Sequence, residues 1–294
     1  MPTGELIAPL LQAAISGLLA GGVYALPAVG LSLVWGVMKI VNIAHGVLAL
    51  LASYLALTLF QSLNLDPLIA LVLLVPLFFG VGMLVQRGLV QPVTAQPEIS
   101  SLMVLFALTI VAENVITRVW SADFRVLKPA YAGTSFDIAS LNLSVARGVA
   151  FVLALVTVFG LDAALRRTYF GKAIRATAQN RAAAALVGVD TRRITLLAFG
   201  LGTALAAVAG VGLALIYSIH PTVHILWVVK AFLVAVLGGV GNIRGAFAAG
   251  LLLGLAESYL GTFVTFRWVD FSVYVLLLVI LLFRPQGLYG KAPV

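Results

Sequence analysis

From Leu6 to Met38 the chain runs for thirty-three residues without a charged side chain, and comparable runs recur towards the C-terminus. About twenty apolar residues are enough to cross a ~30 Å hydrocarbon layer as a helix. No ordinary soluble core needs several such runs in one chain. With 62% hydrophobic and 10% charged residues and a mean hydropathy of +1.14, the solvent of this chain is lipid. The expected fold class is therefore all-α: a polytopic helical membrane protein forming a single domain over residues 1–294.

Membrane segments are predicted at 6–35, 44–62, 66–88, 100–120, 146–166, 194–216, 226–241, 245–264 and 268–284, eight or nine in all. Two are abnormal. The first would be about 50 Å long as one straight helix and contains Gly21, Gly22 and Pro27, so a tilted, kinked or broken helix is expected. The seventh is short and ends in Gly238-Gly239-Val240-Gly241-Asn242, a run that regular helix disfavours. Small residues also recur four apart at Gly17/Gly21, Ala206/Gly210, Gly241/Gly245 and Gly250/Gly254. In lipid the hydrophobic effect cannot press helix on helix, so small residues that let backbones approach are expected at the contacts.

Charge sets the orientation. The net charge of +8 would suggest a nucleic-acid partner in a soluble chain. In a membrane protein it reflects Lys and Arg collected in cytoplasmic loops, and no nucleic acid is expected. The loop 166–193 carries Arg166, Arg167, Lys172, Arg175, Arg181, Arg192 and Arg193 against one acid, Asp190. It is therefore expected in the cytoplasm, with the C-terminal Arg284 and Lys291 on the same side. The polar loop 121–145 then lies outside, as a short hairpin or cap. Glu5 is the sole charge before Lys39, so no basic leader precedes the first apolar run, which is expected to be retained as a span. Cysteine is absent, which excludes disulfides and thiolate metal sites.

No residue set looks catalytic. His220 and His224 are four apart, but Pro221 lies between them and no carboxylate is near in sequence, so no metal site is expected. No phosphate-cradling loop is present either, since Gly287-Leu-Tyr-Gly-Lys291 lacks both the spacing and the hydroxyl. Polar groups within membrane segments are costly and point to function. The candidates are Asn42, His45, Glu113, Asn114, Lys230, Asn242, Arg244 and Glu257. Plain roles are available for several: Lys230 can snorkel, Glu257 can lie near a solvated end, and Glu113 can pair with a neighbouring helix. Asn42–His45 and Gly238, Gly239 and Asn242 stand apart, because both lie in glycine-containing breaks between apolar helices. Broken helices at corresponding positions of two halves point to an inverted repeat and to a transporter's pathway. These residues, with Lys230 as a cation that could add to them, form the candidate translocation path.

At Gly36-Val-Met-Lys-Ile-Val-Asn-Ile-Ala-His-Gly46 the chain resembles the membrane subunits of bacterial ABC importers for branched-chain amino acids. Within that group it is most similar to the H-type permease of the leucine/isoleucine/valine high-affinity system. Gly171-Lys-Ala-Ile-Arg-Ala-Thr-Ala-Gln-Asn180, running on to Ala185-Leu-Val-Gly-Val-Asp190, resembles the family's ATPase-docking loop. Lys230 to Asn242 with Gly245-Ala246 resembles its re-entrant-looking segment, and Arg284-Pro-Gln-Gly-Leu288 its C-terminal signature. One departure is Val47, where the family commonly has an acid after His-Gly.

The resemblance implies a non-enzymatic permease of a bacterial inner membrane, without a cofactor of its own. Its partners would be an M-type permease, two cytoplasmic ATP-binding subunits that bind the nucleotide, and an external solute-binding protein. It also implies Gly171, Lys172, Arg175, Ala176, Asn180, Gly188 and Asp190 as docking residues. Lys172 to Val187 consists mostly of helix formers and is expected as one short helix, with Gly188 as its left-handed cap and Asp190 or Thr191 starting the next. Relatives for urea, short amides or aromatic acids are the alternative within the class. A secondary transporter or channel is the alternative outside it, with only Glu113 and Glu257 available for ion coupling. An intramembrane enzyme lacks a nucleophile–base set.

Overall fold

The computed structural model describes residues 3–138, 141–263, 268–283 and 287. Eleven α-helices are defined among them: α1 Thr3–Met38, α2 His45–Leu63, α3 Pro67–Val85, α4 Glu98–Trp120, α5 Val145–Arg167, α6 Tyr169–Gln179, α7 Arg181–Leu186, α8 Thr191–Ala214, α9 Val223–Gly238, α10 Ile243–Phe263 and α11 Val269–Phe283. Each of the nine expected membrane segments is a helix. Seven are long and apolar enough to cross a membrane, and α9 is a shorter apolar helix of sixteen residues. The chain is a multi-pass membrane protein.

The first helix is continuous through Pro9 and Pro27. Its glycines serve close approach and break nothing. A Cβ on Gly21 would sit 2.5 Å from the Gly250 carbonyl oxygen, and one on Gly17 would sit 2.7 Å from that of Gly254. Those two pairs run in opposite order along α1 and α10, so the helices are antiparallel and meet backbone to backbone. Gly210 of α8 fits against Ala49 of α2 in the same way. The small-residue spacing thus marks real contacts at three of its four places. At the fourth, Gly241 lies in a turn and Gly245 in the first turn of α10, described below.

One end of the bundle is basic. It holds α6, α7 and the turn after α1. The other end carries a two-stranded hairpin, β1 Ser135–Ile138 and β2 Leu141–Ser144, antiparallel with Phe136 opposite Leu143. The Gln12 amide donates to the Asn142 carbonyl (2.8 Å) and its oxygen accepts from the Asn142 N–H (2.9 Å), so the hairpin end is where α1 starts. At this end Asp66 caps α3 by accepting from Leu68 N–H, with Pro67 at the first helical position, where its missing donor costs nothing. The Trp120 indole N–H donates to Thr58 Oγ1 (2.8 Å) and ties α4 to α2. Burial and the Asp66 carboxylate push the Tyr131 hydroxyl well above its ordinary pKa. The C-terminal signature residues Arg284, Pro285, Gln286 and Leu288 lie outside the described residues, as does Lys291.

Candidate functional site

The second break is a tight helix–turn–helix. The last turn of α9 reaches Gly238, after which Gly239 and Gly241 take φ of +86° and +81°, a region that side chains with a Cβ rarely occupy. Asn242 then caps α10: its Oδ1 accepts from Gly245 N–H at 3.0 Å. A Cβ on Gly245 would lie 2.0 Å from the Gly238 carbonyl oxygen, so both glycines are needed for the helices to turn this closely. The turn is held to α1 by Gly241 N–H donating to Ser32 Oγ at 2.8 Å. A Cβ on Gly36 would lie 2.9 Å from the Gly241 Cα. Ser32 escaped the sequence reading. Its only signal was a hydroxyl one turn before Gly36, in the apolar stretch that follows Tyr24.

The first break spans residues 39–44. Lys39 makes the turn in the left-handed region, at φ +60°. The chain then climbs back without regular structure to His45, where α2 begins. The His45 ring lies against Gly30 of α1, and Gly46 packs against the His224 carbonyl and Val228 of α9. Gly30 precedes Gly36 by six residues, about 9 Å of helix rise, so α2 starts inside the bundle, away from its basic surface. Asn42 and His45 are wholly buried. Among the described residues the Asn42 side-chain nitrogen and oxygen have no hydrogen-bond partner, and neither His45 ring nitrogen makes a bond of ordinary geometry, the Pro27 carbonyl lying close to the ring. Such groups are rare in protein interiors and costly there. α1 therefore receives both breaks within two turns, the first at Gly30 and the second at Ser32 and Gly36.

Lys230 does not join them. It lies about 200° around α9 from Val228, on the opposite face from the first break. There it pairs with Glu257 of α10, both side chains being largely buried. Neither the snorkelling of Lys230 nor the solvation of Glu257 is what the structure has. Glu113 faces His224 Nε2 at 3.8 Å, and the His224 Nδ1 contacts the Pro221 carbonyl oxygen at 2.8 Å. His220 packs at a tilt against the Phe124 ring, and burial holds its pKa below the ordinary histidine value. Arg244 and Arg166 both bind Asp162, and Asn114 donates to the Ile110 carbonyl one turn back.

In the basic loop the expected single helix is two. The amphipathic α6 buries Ala173, Ile174 and Thr177, and Asn180 then leaves helical geometry and caps α7 by accepting from Ala183 N–H at 3.0 Å. Asparagine is a strong N-cap former, and that signal was present at Asn180. Gly171 lies inside α6, pressed against the backbone of Leu165, and Arg175 donates to the Leu165 carbonyl. Lys172 is exposed and Ala176 half-buried. Gly188 stops the unit at φ +86°, and Asp190 caps α8 by accepting from Arg193 N–H. Leu186 and Val187 are 89% and 79% exposed beside that turn. A cleft of ≈ 280 Å³ opens at this end between Met38 of α1, Ile40 of the first break and Arg181 and Arg192 of the loop.

Residues 13–283 match the family described as "Branched-chain amino acid transport system / permease component". The chain belongs to that family. It is 33% identical to the high-affinity branched-chain amino acid transport system permease protein BraD of Pseudomonas aeruginosa, with 97% of each chain covered. It is 29% identical to the protein LivH of Escherichia coli K12, covering 97% of this chain and 96% of the other. Methanocaldococcus jannaschii has two similar proteins. Its probable LivH permease is 30% identical over 90% of this chain and 87% of its own, and its probable LivM permease is 28% identical over 50% and 46%. No solved structure matches the chain. The chain is thus a membrane permease component and not an enzyme.

Proposed function

We propose that this chain is one permease subunit of an ATP-driven importer carrying branched-chain amino acids across a bacterial cytoplasmic membrane. Its partners in this reading are an M-type permease, two ATP-binding subunits on the cytoplasmic side and an external solute-binding protein. The ATP is bound by the partners. The observation that carries the reading is the first break, where the Asn42 amide is buried without a partner among the described residues, beside the buried His45 ring and where the second break meets the same helix. Groups kept unsatisfied in one state find their use in another, when the helices part and a solute or water reaches them. Asn42 and His45 can offer a passing zwitterion donors and acceptors without a fixed charge that would hold it. Gly238, Gly239 and Asn242 shape the opposite wall, and the cleft beside Ile40 is the inner mouth.

The basic end is cytoplasmic in this reading, following the positive-inside rule, and the C-terminus lies on the same side. α6 and α7 are then the part gripped by the ATPase, with Leu186, Val187 and the exposed basic side chains as the face it covers. Gly188 offers a clean test, since a Cβ there would meet nothing within 4 Å and only its backbone angle resists substitution. Gly188→Val should leave membrane insertion intact while abolishing uptake and co-purification of the ATPase. Normal uptake with normal ATPase association would sink the docking assignment. For the function as a whole, the reconstituted complex should accumulate leucine only with ATP and its binding protein.

A further inference from the structure

At the other face of α9 four polar side chains meet near the hairpin end. The Lys230 ammonium pairs with the Glu257 carboxylate and lies 5.1 Å from the centre of the Tyr24 ring. The Tyr24 hydroxyl is 2.5 Å from that of Tyr217, and the two rings are parallel, with centroids 6.2 Å apart. Tyr24 and Lys230 are buried, Glu257 is half-buried, and Tyr217 is 37% exposed. Tyr217 stands in the segment after α8 whose Ile219 pairs with Arg125 of the long loop at the hairpin end. The cluster thus opens towards the side away from the basic loop, the outer side in the orientation proposed above.

A salt bridge is a poor device for stability alone. A buried pair is often no better than well-packed apolar residues of the same volume, and ionisable groups inside membrane helices are expensive and mark solute routes. We infer that the Lys230–Glu257 pair is an exchangeable receptor for a zwitterion entering from the outer side. The solute carboxylate replaces Glu257 at the Lys230 ammonium, and the solute ammonium replaces Lys230 at Glu257. Tyr24 supports the cationic partner through its ring face. The inference rests on the amino-acid permease reading.

The exchange conserves charge at every step. Two opposite charges enter between two opposite charges, so no net charge is buried and none is left behind to trap the solute. A lone buried lysine could not do this. It would attract the carboxylate and hold it. The same logic grades the solutes that related permeases could serve. Urea and short amides bring no formal charges and leave the protein's pair closed. A monoanion can take Lys230 but leaves Glu257 beside like charge. An α-amino acid alone separates the pair and satisfies both halves.

The test uses the full complex of permease pair, ATPase and binding protein in proteoliposomes, with radiolabelled leucine as the solute. In the double variant Lys230→Met with Glu257→Met, the pin between α9 and α10 becomes apolar and assembly is retained. Leucine moved per assembled complex is expected to fall by about tenfold to a hundredfold, as for losing a charge-assisted hydrogen bond to the solute, while ATP hydrolysis continues. Wild-type transport in this variant overturns the inference. Should the double variant fail to assemble, Glu257→Gln decides, because it keeps a hydrogen bond to Lys230 and removes the charge that would receive the solute ammonium. Transport should again fall by about tenfold or more, whereas full transport would mean that the Glu257 carboxylate is only a pin. If the unaltered complex moves no amino acid at all, it is the proposed function that fails.

Discussion

Two asparagines occupy the two breaks, and the structure treats them in opposite ways. Asn242 caps α10 with its Oδ1, its turn is anchored to Ser32, and it is half-buried. Asn42 is fully buried, with neither polar side-chain atom paired among the described residues. The plain role of an asparagine at a break, to satisfy backbone that the break sets free, is therefore met at the second break and absent at the first. The backbones differ as well. Two glycines carry positive φ at the second break, whereas a lysine carries it at the first. The second break is a built turn that supports. The first buries an asparagine that caps nothing.

The largest effect expected from this difference falls on the turn. Gly239→Val places a β-branched residue at φ +86°, ψ 120°, which costs about 1–3 kcal/mol in backbone strain alone. The neighbouring contacts leave no room to relax, because Gly238 and Gly245 already touch through backbone. The permease extracted in detergent should lose its single symmetric size-exclusion peak. A monodisperse Gly239→Val protein would mean that the second break is as loose as the first.

Apolar replacement of the two asparagines should separate stability from transport. Asn242→Ala loses a helix cap, worth about 1 kcal/mol, and lowers the thermal midpoint while turnover per folded complex stays near wild type. Asn42→Leu removes two unsatisfied groups, each costing about 1–3 kcal/mol where it is buried unpaired, so stability should hold or rise. Uptake should nevertheless fall about tenfold, the worth of a lost hydrogen bond or two to the solute. Wild-type uptake in Asn42→Leu would break the comparison, since both asparagines would then be structural. Because the chain has no native cysteine, labelling gives a second view. Asn42→Cys should resist small water-soluble thiol reagents at rest and react during turnover, while Asn242→Cys should react in both conditions.

Much of this was legible in the sequence because it rests on local chemistry. Unbroken apolar runs located nine helices, Gly238 to Gly241 marked the second break, and Gly188 with Asp190 gave the cap and the next start. What failed to show was contact between distant residues. Nothing near Lys230 reveals that Glu257 lies beside it, because that pairing depends on the small faces of α1 and α10 drawing the helices together. Ser32 and Gly241 are joined across 209 residues for the same reason. The split of the basic loop at Asn180 was a different kind of miss. The signal was local, but a helix-forming run on either side outweighed one capping residue. Whether a buried asparagine has partners is a property of packing alone, so the contrast between Asn42 and Asn242 had no sequence counterpart.

The smallest effect is expected at Lys39. Its φ of +60° puts an L-residue in the left-handed region, at a cost of roughly 1–2 kcal/mol. Replacement by glycine removes that strain but adds roughly 0.5–1 kcal/mol of unfolded-state freedom to be lost. The two nearly cancel. Lys39 is exposed and follows α1 directly, its N–H bonding to the Trp35 carbonyl at 2.8 Å, a bond that glycine keeps. Lys39→Gly should therefore shift the thermal midpoint little, in either direction, and leave uptake unchanged, in contrast to the loss of fold in Gly239→Val. A large fall in stability would mean that the Lys39 side chain itself anchors the first break, and the break would then be held as firmly as its counterpart and not kept ready to open.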